Sequence, residues 1–419
     1  MPIPPPKPGF FRYGRYRSAL FMPALAIACA VTTIANPARA ADAPAPGEWV
    51  AGWYSAPFSP YAVQPATTPP VFANQTVRQT VLVETGGKAI RLRLTNELGI
   101  APLRAAAVHI ALVDDAGAPV ADSDRVVSFG GGGSALLPTA APLLSDPVEL
   151  AVAPLQRLAI SIWYDGAVMP AAHHADLIVA PGNQVQAQTM TGAAAQRGPG
   201  LIAGIEVLHA AKTPVIVAFG DSITEGWGST QGKNLSWPQQ VAARLAMNQR
   251  TRNWSVVNAG MSGNRLLHEG FGQPALARLD RDVLSQAGVT HVILLEGIND
   301  IGRWNEPDND VDAARLIEAY RQIVARAHAH GIKVIGATVL PYKGAAYFTR
   351  EGETMRHAVN GFIRTGGLFD GVIDFDKVTA DPADPQRLRP DFDPGDHLHP
   401  NDKGYTAMAA AVSDDLFMR

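Results

Sequence analysis

The apolar pattern of this chain changes period once, near residue 214, and that change assigns it two different architectures in series. Before it, short runs alternate apolar and polar residues: TVRQTVLVE (76–84), KAIRLRLTN (88–96), AAAVHIALV (105–113), PVELAV (147–152) and RLAISIWY (157–164). In IRLRL, Arg91 and Arg93 alternate with Ile90, Leu92 and Leu94, which gives a sheet one wet face. Turn signals at 85–87, 114–117 and the glycines 130–133 separate the runs. Short strands so spaced predict an antiparallel, sandwich-like domain. After the change, VIVAF, SVVNAG, THVILLEG, KVIGATVLP and GVIDF each lead into a helical stretch. Helices are expected near 237–248, 274–286, 311–330 and 350–365, and after Pro400. Strand–helix alternation predicts a parallel sheet covered on both faces. Ligands on such sheets bind beyond the carboxyl ends of the strands, so those loops are where chemistry is sought.

The N-terminus reads as a targeting segment. Lys7, Arg12, Arg15 and Arg17 precede the apolar run ALFMPALAIACAVTTIA (19–35), and Ala38-Arg39-Ala40 is a small-x-small cleavage site. The run is nearly long enough to span a bilayer, but the cleavage site selects a signal peptide over an anchor. The expected division is 1–40 signal peptide, 41–207 β-rich domain and 208–419 catalytic domain. The product is secreted or periplasmic, with no stable membrane insertion after cleavage. Removing 1–40 takes away five cations and no acid, moving the formal charge from −3 to −8. Such a surface offers no basic field for nucleic acid. It also takes away Cys29, the single cysteine, which leaves neither disulfide nor thiol chemistry. With 47% hydrophobic residues, stability comes from core burial.

The first strand after the change stops at Gly220-Asp221-Ser222. Two readings compete for Ser222. Ser222-Ile223-Thr224-Glu225 fits a capping box, in which the serine merely opens a helix. Yet Gly226, Gly228 and Gly232 follow with no helical stripe, and the next helix start is Ser236-Trp237-Pro238-Gln239. Ser222 therefore caps at most a short turn, and a nucleophile at a strand end is the sharper reading. Other strand ends carry Gly260 in AGMSGN, then Gly297-Ile298-Asn299-Asp300, then Asp396-His397-Leu398-His399.

In this order the four stretches resemble the signature blocks of the SGNH/GDSL hydrolases, over Pro214 to the C-terminus. The first block reads Gly-Asp-Ser-Ile in place of Gly-Asp-Ser-Leu, a conservative departure. EWVAGWYSAP (48–57) also resembles the start of the β-rich leader in a secreted subgroup. The resemblance implies a flavodoxin-like three-layer α/β sandwich and a serine esterase without cofactor or metal. It assigns Ser222 as nucleophile, His399 as base and Asp396 as its orienting acid. The oxyanion donors it implies are the Ser222 N–H, the Gly260 N–H and the Asn299 side chain. Asp221 and Asp300 are expected to organise their loops through backbone hydrogen bonds. His397 lies beside Asp396, but the family spacing selects His399.

Trp227, Asn264, Leu266, Trp304 and Tyr342 fall in or near the same loops and are candidates for the acyl or alcohol pocket. His173 and His174, beside Asp176, read as surface loop histidines. No long amphipathic lid stands out, so a short acyl group is expected, for example acetyl on a carbohydrate. The substrate is then a small-molecule or polysaccharide ester. Three alternatives stay open: a lipase or acylhydrolase of longer acyl esters, a metal-dependent hydrolase using Asp393, Asp396, His397 and His399, and a sugar-binding protein with an inactive hydrolase fold.

Overall fold

The β-rich half begins with β1 (Glu48–Tyr54), β2 (Gln75–Val83), β3 (Ile90–Thr95), β4 (Ala107–Leu112) and β5 (Arg125–Val126). It continues with β6 (Pro142–Leu144), β7 (Gln156–Tyr164), β8 (His174–Pro181), β9 (Ala194–Pro199) and β10 (Ile202–His209). They form two sheets, β1-β10-β3-β6 and β9-β8-β2-β7-β4-β5, antiparallel throughout. This is the expected sandwich. The computed structural model describes residues 47–58, 71–303, 305–306 and 311–418. The signal segment expected at 1–40 and the pocket candidate Trp304 lie outside them.

Alternation is visible in β3, where Ile90, Leu92 and Leu94 are fully buried. Arg91 and Arg93 occupy the other face, pairing with Glu206 and Glu97, and Arg91 lies over the Trp49 ring. One expected strand is absent. Residues 147–152 make only two isolated bridges, Ile90 to Val148 and Gly87 to Val152.

The second half contains β11 (Val215–Gly220), β12 (Ser255–Gly260), β13 (Val289–Leu295), β14 (Lys333–Ala337) and β15 (Gly371–Ile373). They pair in parallel in the order β12-β11-β13-β14-β15, the flavodoxin-like 2-1-3-4-5 arrangement. The helices are α1 (Ser222–Glu225), α2 (Trp237–Met247), α3 (Ala275–Leu279), α4 (Ile298–Gly302), α5 (Ala313–Ala329), α6 (Arg350–Thr365), α7 (Phe375–Thr379) and α8 (Asp402–Ala411).

Sequence explains α5 well. Asp312 caps its first turn through the Arg315 N–H, and Leu316, Ala319, Tyr320, Ile323, Val324 and Ala327 form one buried stripe. Each large apolar side chain so buried contributes about 1.5–3 kcal/mol. The helix expected over 274–286 is shorter as α-helix. At Asp280–Leu284 it widens to a π turn, closed by the Ser285 N–H on the Asp280 carbonyl.

The described residues of both halves belong to one compact unit. The Ala51 N–H donates to the Ala287 carbonyl at 2.8 Å, and the Ser255 hydroxyl donates to the Ala51 carbonyl at 2.6 Å. The Tyr54 hydroxyl donates to buried Asp282 at 2.7 Å. The halves thus share polar bonds as well as apolar area.

Candidate active site

β11 and β13 are adjacent, and between them the chain reverses the direction in which it adds strands. A crevice forms at such a point. Ser222 follows β11, Asn299 follows β13, and the loop before α8 brings Asp396 and His399 over both.

The Ser222 hydroxyl lies 2.8 Å from His399 Nε2, and His399 Nδ1 lies 2.6 Å from Asp396 Oδ2. A carboxylate can only accept, so Nδ1 carries hydrogen and Nε2 is left to accept from the serine. Asp396 is itself held, because its other oxygen accepts the N–H groups of Leu398 and His399 at 3.0 Å. Partial burial opposes its charge, but those N–H groups and the His399 ring keep its carboxyl below the usual range. His397 bonds to Asp393 instead, at 2.5 Å. Asp393 and Asp396 therefore hold separate imidazoles, and among the described residues no three His, Cys, Asp or Glu converge as a metal site.

Ser222 is not the cap of its turn. Asp221 is the N-cap, accepting the Ile223 N–H at 2.9 Å, and Ser222 is the first residue of α1. The serine hydroxyl is thereby free for His399. Burial pushes the Asp221 carboxyl up to about 7, with Asp300 and Glu225 adding to it against the Ile223 N–H and Arg278. Asp300 accepts the N–H groups of Leu266 and Leu267 at 2.7 and 3.1 Å. Both acids organise loops, as the sequence suggested.

Asn299 is 5% exposed and borders the cleft. Its Nδ2 donates to the Asn264 carbonyl at 3.0 Å, and its Oδ1 accepts from the Tyr347 hydroxyl at 3.3 Å. The carbonyl can only accept, which identifies the NH₂ end and leaves it a second hydrogen.

Gly260 does not line the cleft. Its N–H donates to Asn258 Oδ1 at 2.8 Å, and a Cβ there would lie 2.2 Å from the Glu225 nitrogen. Its missing side chain serves close packing of α1 on β12. The loop glycine that borders the cleft is Gly263, at φ 69°, with its N–H unbonded among the described residues. Of the two loop glycines, Gly263 rather than Gly260 therefore stands beside Ser222 and Asn299 at the cleft. Ser-Gly-Asn at 262–264 was a visible turn signal, but sequence alone could not choose between glycines three residues apart.

Three pocket candidates also move. Asn264 is fully buried, donating to the Gln273 carbonyl and accepting from Arg278 Nε, so it supports the loop and cannot meet substrate. Leu266 and Tyr342 are fully buried as well. Trp227 does border the cleft, 59% exposed, with its ring 6.1 Å from that of His399. Arg278, which sequence gave no reason to select, anchors the strand ends. Its guanidinium donates to the Gly220 and Ala259 carbonyls, Asp282 and Glu296 from a fully buried position.

The cleft has a volume of about 440 Å³ and apolar walls that include Phe58, Trp227, Phe271, Tyr347 and Leu398. Phe58, His173, His174 and Arg197 enter it from the β-rich half. The two histidines are thus not surface loop residues. His173 bonds to Glu225 Oε1 at 3.1 Å and to the Ala56 carbonyl at 3.0 Å.

The sequence model of the GDSL-like lipase/acylhydrolase family matches residues 218–407, the part of the chain that carries Ser222, Asn299, Asp396 and His399. The protein is accordingly a carboxylic ester hydrolase. No curated protein matches it. Solved structures similar to it include a lipolytic protein of the G-D-S-L family from Desulfitobacterium hafniense, at 24% identity over 47% of this chain and 96% of that one, TM-score 0.36. A GDSL-like lipase from Bacteroides thetaiotaomicron is 20% identical over 49% and 89%, TM-score 0.36. An acetylxylan esterase from Geobacillus stearothermophilus, a catalytic mutant, is 21% identical over 48% and 94%, TM-score 0.38.

Proposed function

We propose that the chain is a secreted serine esterase that works through an acyl-enzyme. The observation that carries this reading is the hydrogen-bonded series from Asp396 through His399 to Ser222. His399 takes the serine proton as Ser222 attacks the ester carbonyl, and Asp396 stabilises the imidazolium that forms. Negative charge on the carbonyl oxygen meets the N–H groups of Ser222 and Gly263 and the free Asn299 hydrogen. His399 then protonates the leaving alcohol. Water, deprotonated by the same residue, hydrolyses the acyl-enzyme. Incubation with a serine-directed phosphonate should add one phosphonyl group at Ser222 and end turnover. Turnover that survives full labelling would sink the mechanism.

The acyl group proposed is short, carried on a polar alcohol such as a carbohydrate. The apolar cleft walls favour a second reading, a longer acyl or aryl group. A nitrophenyl ester series separates them: kcat/KM peaks at acetyl in the first case and rises through octanoyl in the second. Export rests on the charged, apolar and small-residue layout of 1–40, and N-terminal sequencing of the exported protein should begin near Ala41.

A further inference from the structure

His173 stands on the β-rich half, immediately before β8, and its ring lies between two acceptors. Nδ1 faces the Ala56 carbonyl at 3.0 Å and Nε2 faces Glu225 Oε1 at 3.1 Å. Neither acceptor carries a hydrogen when Glu225 is ionised, so both ring nitrogens must donate. A ring with two donors is an imidazolium. Glu225 is engaged on its other side, where Oε2 accepts the Ser262 N–H at 2.6 Å. Ser262 precedes Gly263, which borders the cleft.

We infer that His173 is a positioning residue for ester hydrolysis: as a cation it fixes Glu225, and through it the Ser262-Gly263 loop that presents an oxyanion donor. This rests on the serine-esterase reading above. It gives the β-rich half a part in the chemistry without contact with the reacting atoms.

The surroundings agree. Burial works against charge on His173, but Glu225 and the Ala56 carbonyl outweigh it and raise the imidazole above its ordinary value. Arg197 opposes this from β9, and the Phe58 ring packs edge-on at 6.3 Å. Neighbouring His174 is pushed down by burial and by His173 itself, so it stays neutral beside the cation. Burial also opposes the Glu225 carboxylate, yet His173 and Ser262 bring it down to about 2. Glu225 is therefore charged at neutral pH, and His173 is shifted toward its charged form. A raised imidazole loses its proton as pH climbs through the raised value, and the clamp loosens there.

The test uses kcat for a small nitrophenyl ester across pH. Wild type should show an alkaline decline. His173→Ala should lose about tenfold or more in kcat with KM within about threefold, since a displaced oxyanion donor acts on the transition state. His173→Lys keeps a cation and should restore kcat, with the decline moved to higher pH. Glu225→Gln guards against misfolding: its amide donates to neutral His173 Nε2 and its oxygen still accepts from Ser262. That variant should lose the alkaline decline, whatever its kcat at neutral pH. A folded His173→Ala enzyme with unchanged kcat overturns the inference, as does an alkaline decline that survives Glu225→Gln. Ser222→Ala run alongside separates the two levels: if it keeps turnover, the esterase reading itself has failed.

Discussion

The Ser222 hydroxyl and His399 Nε2 stand 2.8 Å apart across 177 residues of chain. The hydroxyl needs a base and the base needs its tautomer held, and Asp396 supplies the second from three residues before His399. Ser222→Ala should lower turnover by about 10⁴-fold or more while the thermal midpoint stays near wild type, because among the described residues the hydroxyl bonds only to His399. Asp396→Asn should cost roughly 10²- to 10⁴-fold in kcat through the misdirected imidazole. Steady-state kinetics beside a thermal melt checks both, and a fully active Ser222→Ala protein would refute the assignment.

Asn299 and Gly263 both border the cleft that Ser222 faces. Asn299→Ala should reduce kcat by about 10²- to 10³-fold with KM little changed, the signature of a donor that acts on the transition state. Gly260→Ala should behave otherwise. Its Cβ would collide with the Glu225 backbone, so the loss should appear as a lowered melting temperature. A Gly260→Ala protein of normal stability and hundredfold lower kcat would restore Gly260 to the donor set.

The parts legible in sequence are those whose signals are local. Ser222 and Asn299 each sit in a short motif after a strand that the alternation of period located, and Asp396 with His399 in one before a helix. His173, Phe58 and Arg197 were not legible because only tertiary packing carries them to the cleft. Nothing around AAHHAD announces a partner at Glu225, 52 residues on. Trp227 is different again. It was selected by position, and its exposure at the rim agrees. Asn264 had the same local credentials, yet Arg278 and Gln273 claim its side chain.

Asp221 predicts a pH dependence of stability. Burial raises its carboxyl to about 7, against an ordinary value of about 4. Between these values the folded chain holds a proton that the unfolded chain releases, so stability falls as pH rises through that window. Asp221→Asn keeps an oxygen for the Ile223 N–H and has no proton to lose. Its melting temperature relative to wild type should therefore rise from pH 5 to pH 8. A constant difference across that range would refute the prediction.

Arg278→Met tests the anchor beneath the strand ends. The guanidinium is fully buried and serves two carboxylates, two carbonyls and the Asn264 oxygen. Asp282 would keep Arg281 and Tyr54, but Glu296 would lose its cation. Breaking such a buried network by one partner costs about 3–5 kcal/mol. Urea unfolding followed by tryptophan fluorescence should show the midpoint fall accordingly, and a loss below about 1 kcal/mol would contradict the role given to Arg278.

Removing the β-rich half should abolish the enzyme as well as shorten it. A chain of residues 208–419 loses the Ala51 bonds to Ala287 and Ser255 and the Tyr54 hydroxyl on Asp282. It also loses His173 on Glu225, and the apolar surface now covered by Val50 and Tyr54 becomes exposed. Such a patch promotes association. Asp282 and Glu225 would each keep their charge with one donor fewer. The fragment should therefore be poorly soluble, with weak near-ultraviolet circular dichroism and negligible turnover of a nitrophenyl ester. Co-expression with residues 41–207 as a separate chain should restore part of both, because the bonds between the halves are non-covalent. A soluble 208–419 fragment with wild-type kcat would show that the β-rich half is a passenger, and would remove the physical basis for giving its histidine a part in the chemistry.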